Sequence, residues 1–156
     1  MSIIRTLENL IVKIPSELNT ITEEEFNMKV NPDKWSKKEI LAHLCDSATN
    51  NHYRITKIMI VGESIKIESY NQNLWVSLHG YQTNYSYTEL ITLWTYLNKQ
   101  ILNVLKNASD EQYKKQAILE DNRTITLEWL AEDYINHTLH HINQILEIVL
   151  WGNRRR

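Results

Sequence analysis

The chain has 156 residues, of which three are Gly and two are Pro, where average usage would supply roughly 19. Its formal charge is −2, from 17 basic and 19 acidic side chains. These figures exclude turn-rich β-sandwiches and barrels, glycine-rich nucleotide-binding loops, and a strongly positive surface of the kind that attracts nucleic acid.

What remains is a chain of few connections and long regular segments, most simply helices. Its length suits one domain over residues 1–156, large enough to build its own core. The lone Cys45 cannot form an intramolecular disulfide, which fits a reducing compartment. The N-terminal stretch carries Glu8 within an amphipathic pattern rather than a continuous apolar run. No segment approaches the roughly 18 apolar residues of a membrane span. The expected setting is the cytoplasm, with no membrane and no nucleic-acid partner.

Ile3, Leu7, Leu10, Ile11 and Ile14 recur at helical spacing and predict a first amphipathic helix. Pro15 is expected to break, kink or restart it, with Leu18, Ile21 and Phe26 continuing in pieces. Residues 31–34 read as a loop. Ser36 and Glu39 then form a capping-box pattern, in which each side chain bonds the other's backbone amide. The second helix that follows has an apolar face from Ile40 and Leu41 through Leu44, Ala48, Ile55, Ile58 and Met59 to about Val61. Gly62 is its expected stop.

Residues 63–85 read as a long ordered connection with a short helix near 72–78, and connections of this length are often functional. Ser86 and Glu89 repeat the capping box. Leu90, Leu93, Trp94, Leu97, Ile101, Val104 and Leu105 predict a third helix ending near Asn107. Residues 108–125 form a second connection, extended at Ile118, Thr124 and Ile125. The fourth helix begins near Thr126, carries apolar positions Leu127, Leu130, Tyr134, Ile142, Ile145, Ile148 and Val149, and is expected to stop at Gly152. Arg154, Arg155 and Arg156 would complement its carbonyl end. Four long amphipathic helices with two long connections predict an all-α four-helix bundle. The long link between helices two and three allows those two to run parallel.

Six histidines lie at 43, 52, 79, 137, 140 and 141. With about 100° per residue, His137 and His141 fall within about 40° of each other at the edge of the fourth helix's apolar arc, and His140 faces away. In the second helix His43 borders the apolar arc and heads a polar stripe of Asp46, Ser47, Asn50 and Arg54. His52 lies on the far flank, and His79 reads as a solvated residue of the connection. Histidines at i and i+4 on one helix face can share a metal ion, and a third from a facing helix completes a three-ligand site with open positions. The alternative is a set of partly buried, hydrogen-bonded histidines. Asp46 is either an outer partner of such a site, an acid/base, or a solvated stripe residue. Trp35, Trp75, Trp94, Trp129 and Tyr134 read as core before pocket. Cys45 points about 200° from His43, a poor ligand for the same ion.

Trp35-Ser36, then Glu39 to Leu44 with His43, then Asp46-Ser47 resemble the second-helix signature of the DinB/YfiT-like superfamily. His137-Thr-Leu-His-His141-Ile-Asn-Gln144-Ile145 resembles its last-helix signature. Residues 50–54 and 70–75 are similar to its branch of metal-dependent hydrolases. The resemblance implies an up-down-down-up bundle and a divalent metal, nickel or zinc, held by His43, His137 and His141. Related branches use a small thiol such as bacillithiol, mycothiol or glutathione in transfer or isomerisation, and no separate motif here identifies such a cofactor. The expectation is a metal-dependent enzyme acting on a small-molecule substrate by hydrolysis or thiol transfer, with Asp46 or His140 assisting proton transfer. Similar proteins often dimerise through helices, so the resemblance allows a homodimer, and no sequence feature decides the oligomeric state. Two alternatives stand beside this. One is a non-catalytic metal-binding or stress-response bundle. The other is a metal-free helical scaffold, in which the three histidines would lie too far apart to share an ion.

Overall fold

A computed structural model describes residues 2–61 and 64–153, with side chains through residue 147. In chain order the elements are α1 (Ile3–Leu18), α2 (Glu23–Asn27), α3 (Lys37–Ile60), β1 (Ile65–Lys66), α4 (Gln72–His79), α5 (Tyr81–Asn84), α6 (Tyr87–Lys106), α7 (Asp110–Tyr113), β2 (Gln116–Ile118), β3 (Thr124–Thr126) and α8 (Leu127–Asn153).

The four long helices α1, α3, α6 and α8 form the bundle. Around it α1 packs on α6, α6 on α3, α3 on α8, and α8 on α1. Their directions follow from particular contacts. Lys106 near the end of α6 pairs with Glu8 near the start of α1, and Phe26 beyond α1 stacks on Tyr87 at the start of α6. These helices are therefore antiparallel. Cys45 in the first half of α3 donates to the Leu90 carbonyl in the first turn of α6, and Lys115, beyond the end of α6, caps the last carbonyls of α3. So α3 and α6 are parallel. On α3 and α8, His43 meets His141 and Ser47 meets His137, an antiparallel register. The bundle is up-down-down-up, and the parallel pair is the one joined by the long 61–86 connection.

Local chemistry sets the ends. Ser36 with Glu39 and Ser86 with Glu89 both close as reciprocal capping boxes. Two more such boxes, Thr22 with Glu25 and Ser109 with Gln112, start the short helices α2 and α7. Pro15 does not end or restart α1. The helix runs through it, because a proline four residues from the C-terminus forfeits one hydrogen bond while Asn19 still donates to its carbonyl. Gly152 does not stop α8, which continues to Asn153; Thr126 caps its other end by accepting from the Trp129 amide. The expected stop at Gly62 and the Arg154–Arg156 cluster lie outside the described residues.

Helical periodicity could not show that the two long connections pair with each other. β1 runs parallel to β2, with Ile65 opposite Ala117, and β2 runs antiparallel to β3, with Ala117 opposite Ile125. The β2–β3 turn places Asn122 at φ 65°, a left-handed position that Asn tolerates. Glu120 in this turn accepts from both the amide and hydroxyl of Ser69, tying one connection to the other. At the far end of α4, Gly80 ends the helix at φ 58°. That left-handed conformation favours glycine, while the nearest atom to an added Cβ, the Asn84 side-chain Nδ2 at 2.6 Å, is free to swing aside.

The core is the shared interior of the four long helices, with Trp94, Leu7, Ile14, Leu41, Leu44, Ile55, Leu90 and Ile101 fully buried. No helix among the described residues is long and apolar enough to cross a membrane. Leu44→Ala should cost about 2–5 kcal/mol in urea denaturation, the usual range for emptying a packed leucine site. Val12→Ala, on the solvent face of α1 at 75% exposure, should change stability by less than about 0.5 kcal/mol. Equal effects would contradict this placement of the core.

Candidate metal centre

The antiparallel packing of α3 on α8 brings three imidazoles together. His43 stands on α3, seven residues into the helix and fully buried, while His137 and His141 stand one turn apart on α8. One ring nitrogen from each lies within 4.8 Å of the others. The Nε2 atoms of His43 and His137 are 3.2 Å apart. That is close to the separation of two nitrogens held by one ion at about 2.0–2.1 Å each. The separation excludes the scaffold alternative in which these residues are too distant to share an ion.

Each α8 histidine is held through its other nitrogen. His141 Nδ1 donates to Gln144 Oε1 at 3.0 Å, which leaves Nε2 with a free lone pair. His137 Nδ1 lies 3.4 Å from the Ser47 hydroxyl, which Asn51 also contacts. Such outer bonds fix the ring and the tautomer, as at metal-binding imidazoles. The indole of Trp35 covers His43 with ring centroids 5.0 Å apart. His43 Nδ1 is buried with no hydrogen-bond partner among the described residues.

Burial pushes His43 down to about 3, with His137 and His141 adding to the effect. Burial likewise pushes His137 down to about 4, helped by His141 and His140. His141 is lowered by burial as well, partly offset by its bond to Gln144. All three rings are therefore neutral near pH 7, the state in which imidazole is a ligand. A neutral three-imidazole donor set suits a borderline ion such as zinc or nickel better than a hard one such as calcium.

Asp46 is not a member of this cluster. Its carboxylate is buried, and Oδ1 accepts from the Tyr81 hydroxyl at 2.6 Å. Its Oδ2 is buried without a partner among the described residues. Burial raises the Asp46 pKa, and the Tyr81 bond and nearby His79 act against that rise. His79 is exposed, as the solvated reading expects, but its Nδ1 donates to the Trp75 carbonyl at 2.8 Å. It sits in the last turn of α4, stacks on Tyr81 at 4.9 Å, and has Nδ1 4.0 Å from Asp46. Tyr70, pushed up to about 12 by burial first and by the Asp46 charge next, interacts with Ser47 behind His137. Tyr70, Trp75, His79, Tyr81 and Tyr85 thus form a chain of ring contacts along the connection. Periodicity did not mark these residues, because they act through contacts 20 to 40 positions away in sequence. The cue available was only that the connection is long and aromatic.

His140 is exposed and its ring lies against His141. His52 is half-buried and makes no ring contact with the cluster. Cys45 is buried, and burial raises its thiol far above the reactive range. Trp94 and Tyr134 are core residues, whereas Trp129 is 38% exposed.

The family model described as the DinB superfamily matches residues 7–145. No curated protein matches the chain. Among solved structures, the fold is similar to YfiT from Bacillus subtilis, a probable metal-dependent hydrolase with an unusual four-helix bundle topology. That match has a TM-score of 0.86 and 24% identity, covering 97% of this chain and 86% of that one. It is also similar to a mycothiol-dependent maleylpyruvate isomerase, at TM-score 0.74 and 11% identity, covering 92% of this chain and 59% of the isomerase. A DinB-like protein, YjoA, from Bacillus subtilis matches at TM-score 0.66 and 14% identity, covering 97% and 92%. At these identities the likeness to solved structures is one of fold.

Because His43 and His137 are neutral when folded but titrate near about 6.5 when unfolded, the unfolded chain binds protons first as pH falls. The metal-free protein should lose stability from about pH 6.5 downward. Asp46, raised by burial, acts in the opposite sense but is common to wild type and variant, which are compared between pH 7 and 5. Melting temperature should fall across that window, and His43→Gln should flatten the fall. An equal slope in the variant would contradict a buried neutral His43.

Proposed function

The chain belongs to the DinB superfamily, and from that premise we propose that it is a metal-dependent enzyme acting on a small electrophilic substrate by hydrolysis or thiol transfer. The observation that carries this reading is the convergence of three neutral, oriented imidazoles from two helices within 4.8 Å. His43, His137 and His141 would hold a divalent ion, zinc or nickel by donor type. When bound, such an ion supplies Lewis acidity, polarising an electrophile and lowering the pKa of a coordinated water or small thiol.

The chain's own residues supply the rest. Ser47 and Gln144 hold the α8 rings in place through their Nδ1 atoms. Three protein ligands leave coordination positions for reactants, which a closed four-ligand structural site would not. Trp35 and the buried face of α3 limit water around His43. Asp46 is the proposed acid/base group: burial raises its pKa, its Oδ1 is oriented by Tyr81, and its Oδ2 has no partner among the described residues. Hydrolase and thiol-dependent relatives share this bundle, which supports both reaction classes for the same arrangement.

Protein purified without a histidine tag should contain about one equivalent of zinc or nickel by elemental analysis, and His137→Ala should lose most of it. Full retention by that variant would sink the ligand assignment. The metal-loaded protein should turn over simple esters or amides, or consume an electrophile in the presence of bacillithiol. Asp46→Asn should lower that rate by about 10²-fold or more while leaving metal content unchanged. Absence of turnover with every one of these substrates in the fully metallated protein would favour a non-catalytic metal-binding bundle.

A further inference from the structure

The same face of α3 that carries His43 continues along the helix through Ser47 and Asn50 to Arg54, about 16 Å further on. There the helix and the β1 segment enclose a cavity of about 350 Å³. Arg54, Lys57 and Lys66 line it together with the rings of Tyr53 and Tyr70. The volume is that of a small-molecule site.

Glu68 also lines the cavity, so three cations face one carboxylate there. Among the described residues, none of the three cations makes an ion pair within 4.0 Å. Arg54 is half-buried, yet its guanidinium donates to a neutral acceptor, the Glu68 carbonyl, and otherwise lies 5.9 Å from the Tyr70 ring. Glu120 is close enough to influence Arg54 and Lys66, but Ser69 takes its carboxylate through two hydrogen bonds. The Lys57 ammonium lies over Tyr53 at 5.5 Å. Burying a guanidinium without a carboxylate partner is costly, and the fork of N–H donors that remains matches an oxyanion.

We propose that this cavity is an oxyanion-binding subsite, in which Arg54, Lys57 and Lys66 take a carboxylate or phosphate group of a small molecule while Tyr53 and Tyr70 flank its body. That the molecule is the substrate or co-substrate of the histidine centre rests on the function proposed above. Tyr70 is the physical link, since it borders the cavity and interacts with Ser47, which in turn holds His137. The subsite would select substrates with an anionic end about three helical turns from the reacting group.

Calorimetric titration of the intact protein with sodium succinate and with sodium phosphate tests this, against sodium chloride of equal ionic strength and against neutral succinamide. Saturable 1:1 binding of either anion is expected, and the anion that binds more tightly identifies the group the site takes. Arg54→Gln and Lys57→Gln should each weaken binding about tenfold or more, as expected for loss of a charge-assisted contact. Lys13→Gln on α1 should leave it unchanged. The Lys57 side chain is exposed, so its variant tests the site without disturbing the fold. No binding beyond the chloride control, or wild-type affinity in both variants, would overturn the subsite. The same titration on His137→Ala separates the two claims. Retained anion binding with lost metal supports both, and retained binding in a wild-type protein that never holds metal supports the subsite alone.

Discussion

The antiparallel contact between α3 and α8 is the constraint on which the site depends. It places a histidine in the first third of one helix against an i, i+4 pair on the other and withdraws all three from water. Three like groups that can each take a proton are held so close that charging any one is opposed by burial and by the others. A neutral imidazole cluster with a buried, unpartnered Nδ1 on His43 is an unfavourable arrangement for stability alone. A shared cation directed at the opposing Nε2 lone pairs would offset that cost, and the outer bonds of Ser47 and Gln144 already aim two of the rings.

The bundle alone does not complete the surroundings. The two long connections are joined through the β1–β2 pair and through Glu120 on Ser69, and this junction fixes the segment carrying Tyr70 beside α3. Gly80 then turns the chain so that Tyr81 reaches Asp46. The helices supply rigid positions for the three histidines, while the 61–86 connection supplies hydroxyls and rings around them. This division of labour is common where loops are positioned by a rigid scaffold.

The long helices were legible in the sequence because each repeats apolar residues at helical spacing and two of them open with a capping box. The three histidines were legible for the same reason: a wheel places His137 and His141 on one edge and His43 at the head of a polar stripe. Pro15 and Gly152 misled, since a proline this near a helix end forfeits a single hydrogen bond and an isolated glycine weakens a helix without having to end it. The short helices α2 and α7 also open with capping boxes, but the weak apolar patterns beside Thr22 and Ser109 left helical periodicity nothing to follow. The β1–β2 pairing, the Tyr81–Asp46 bond and the approach of His79 were not legible. Each joins residues 33 to 52 positions apart, and neither alternation nor helical period encodes which distant segment a connection will meet.

The central claim is that one ion is shared by His43 from α3 and His137 and His141 from α8. X-ray absorption at the metal edge of the loaded protein tests it most directly. The account predicts scattering from three imidazole nitrogens at about 2.0–2.1 Å plus at least one exchangeable ligand that is not an imidazole. His43→Ala should reduce the imidazole count to two. A spectrum without imidazole scattering, or one that His43→Ala leaves unchanged, would contradict it.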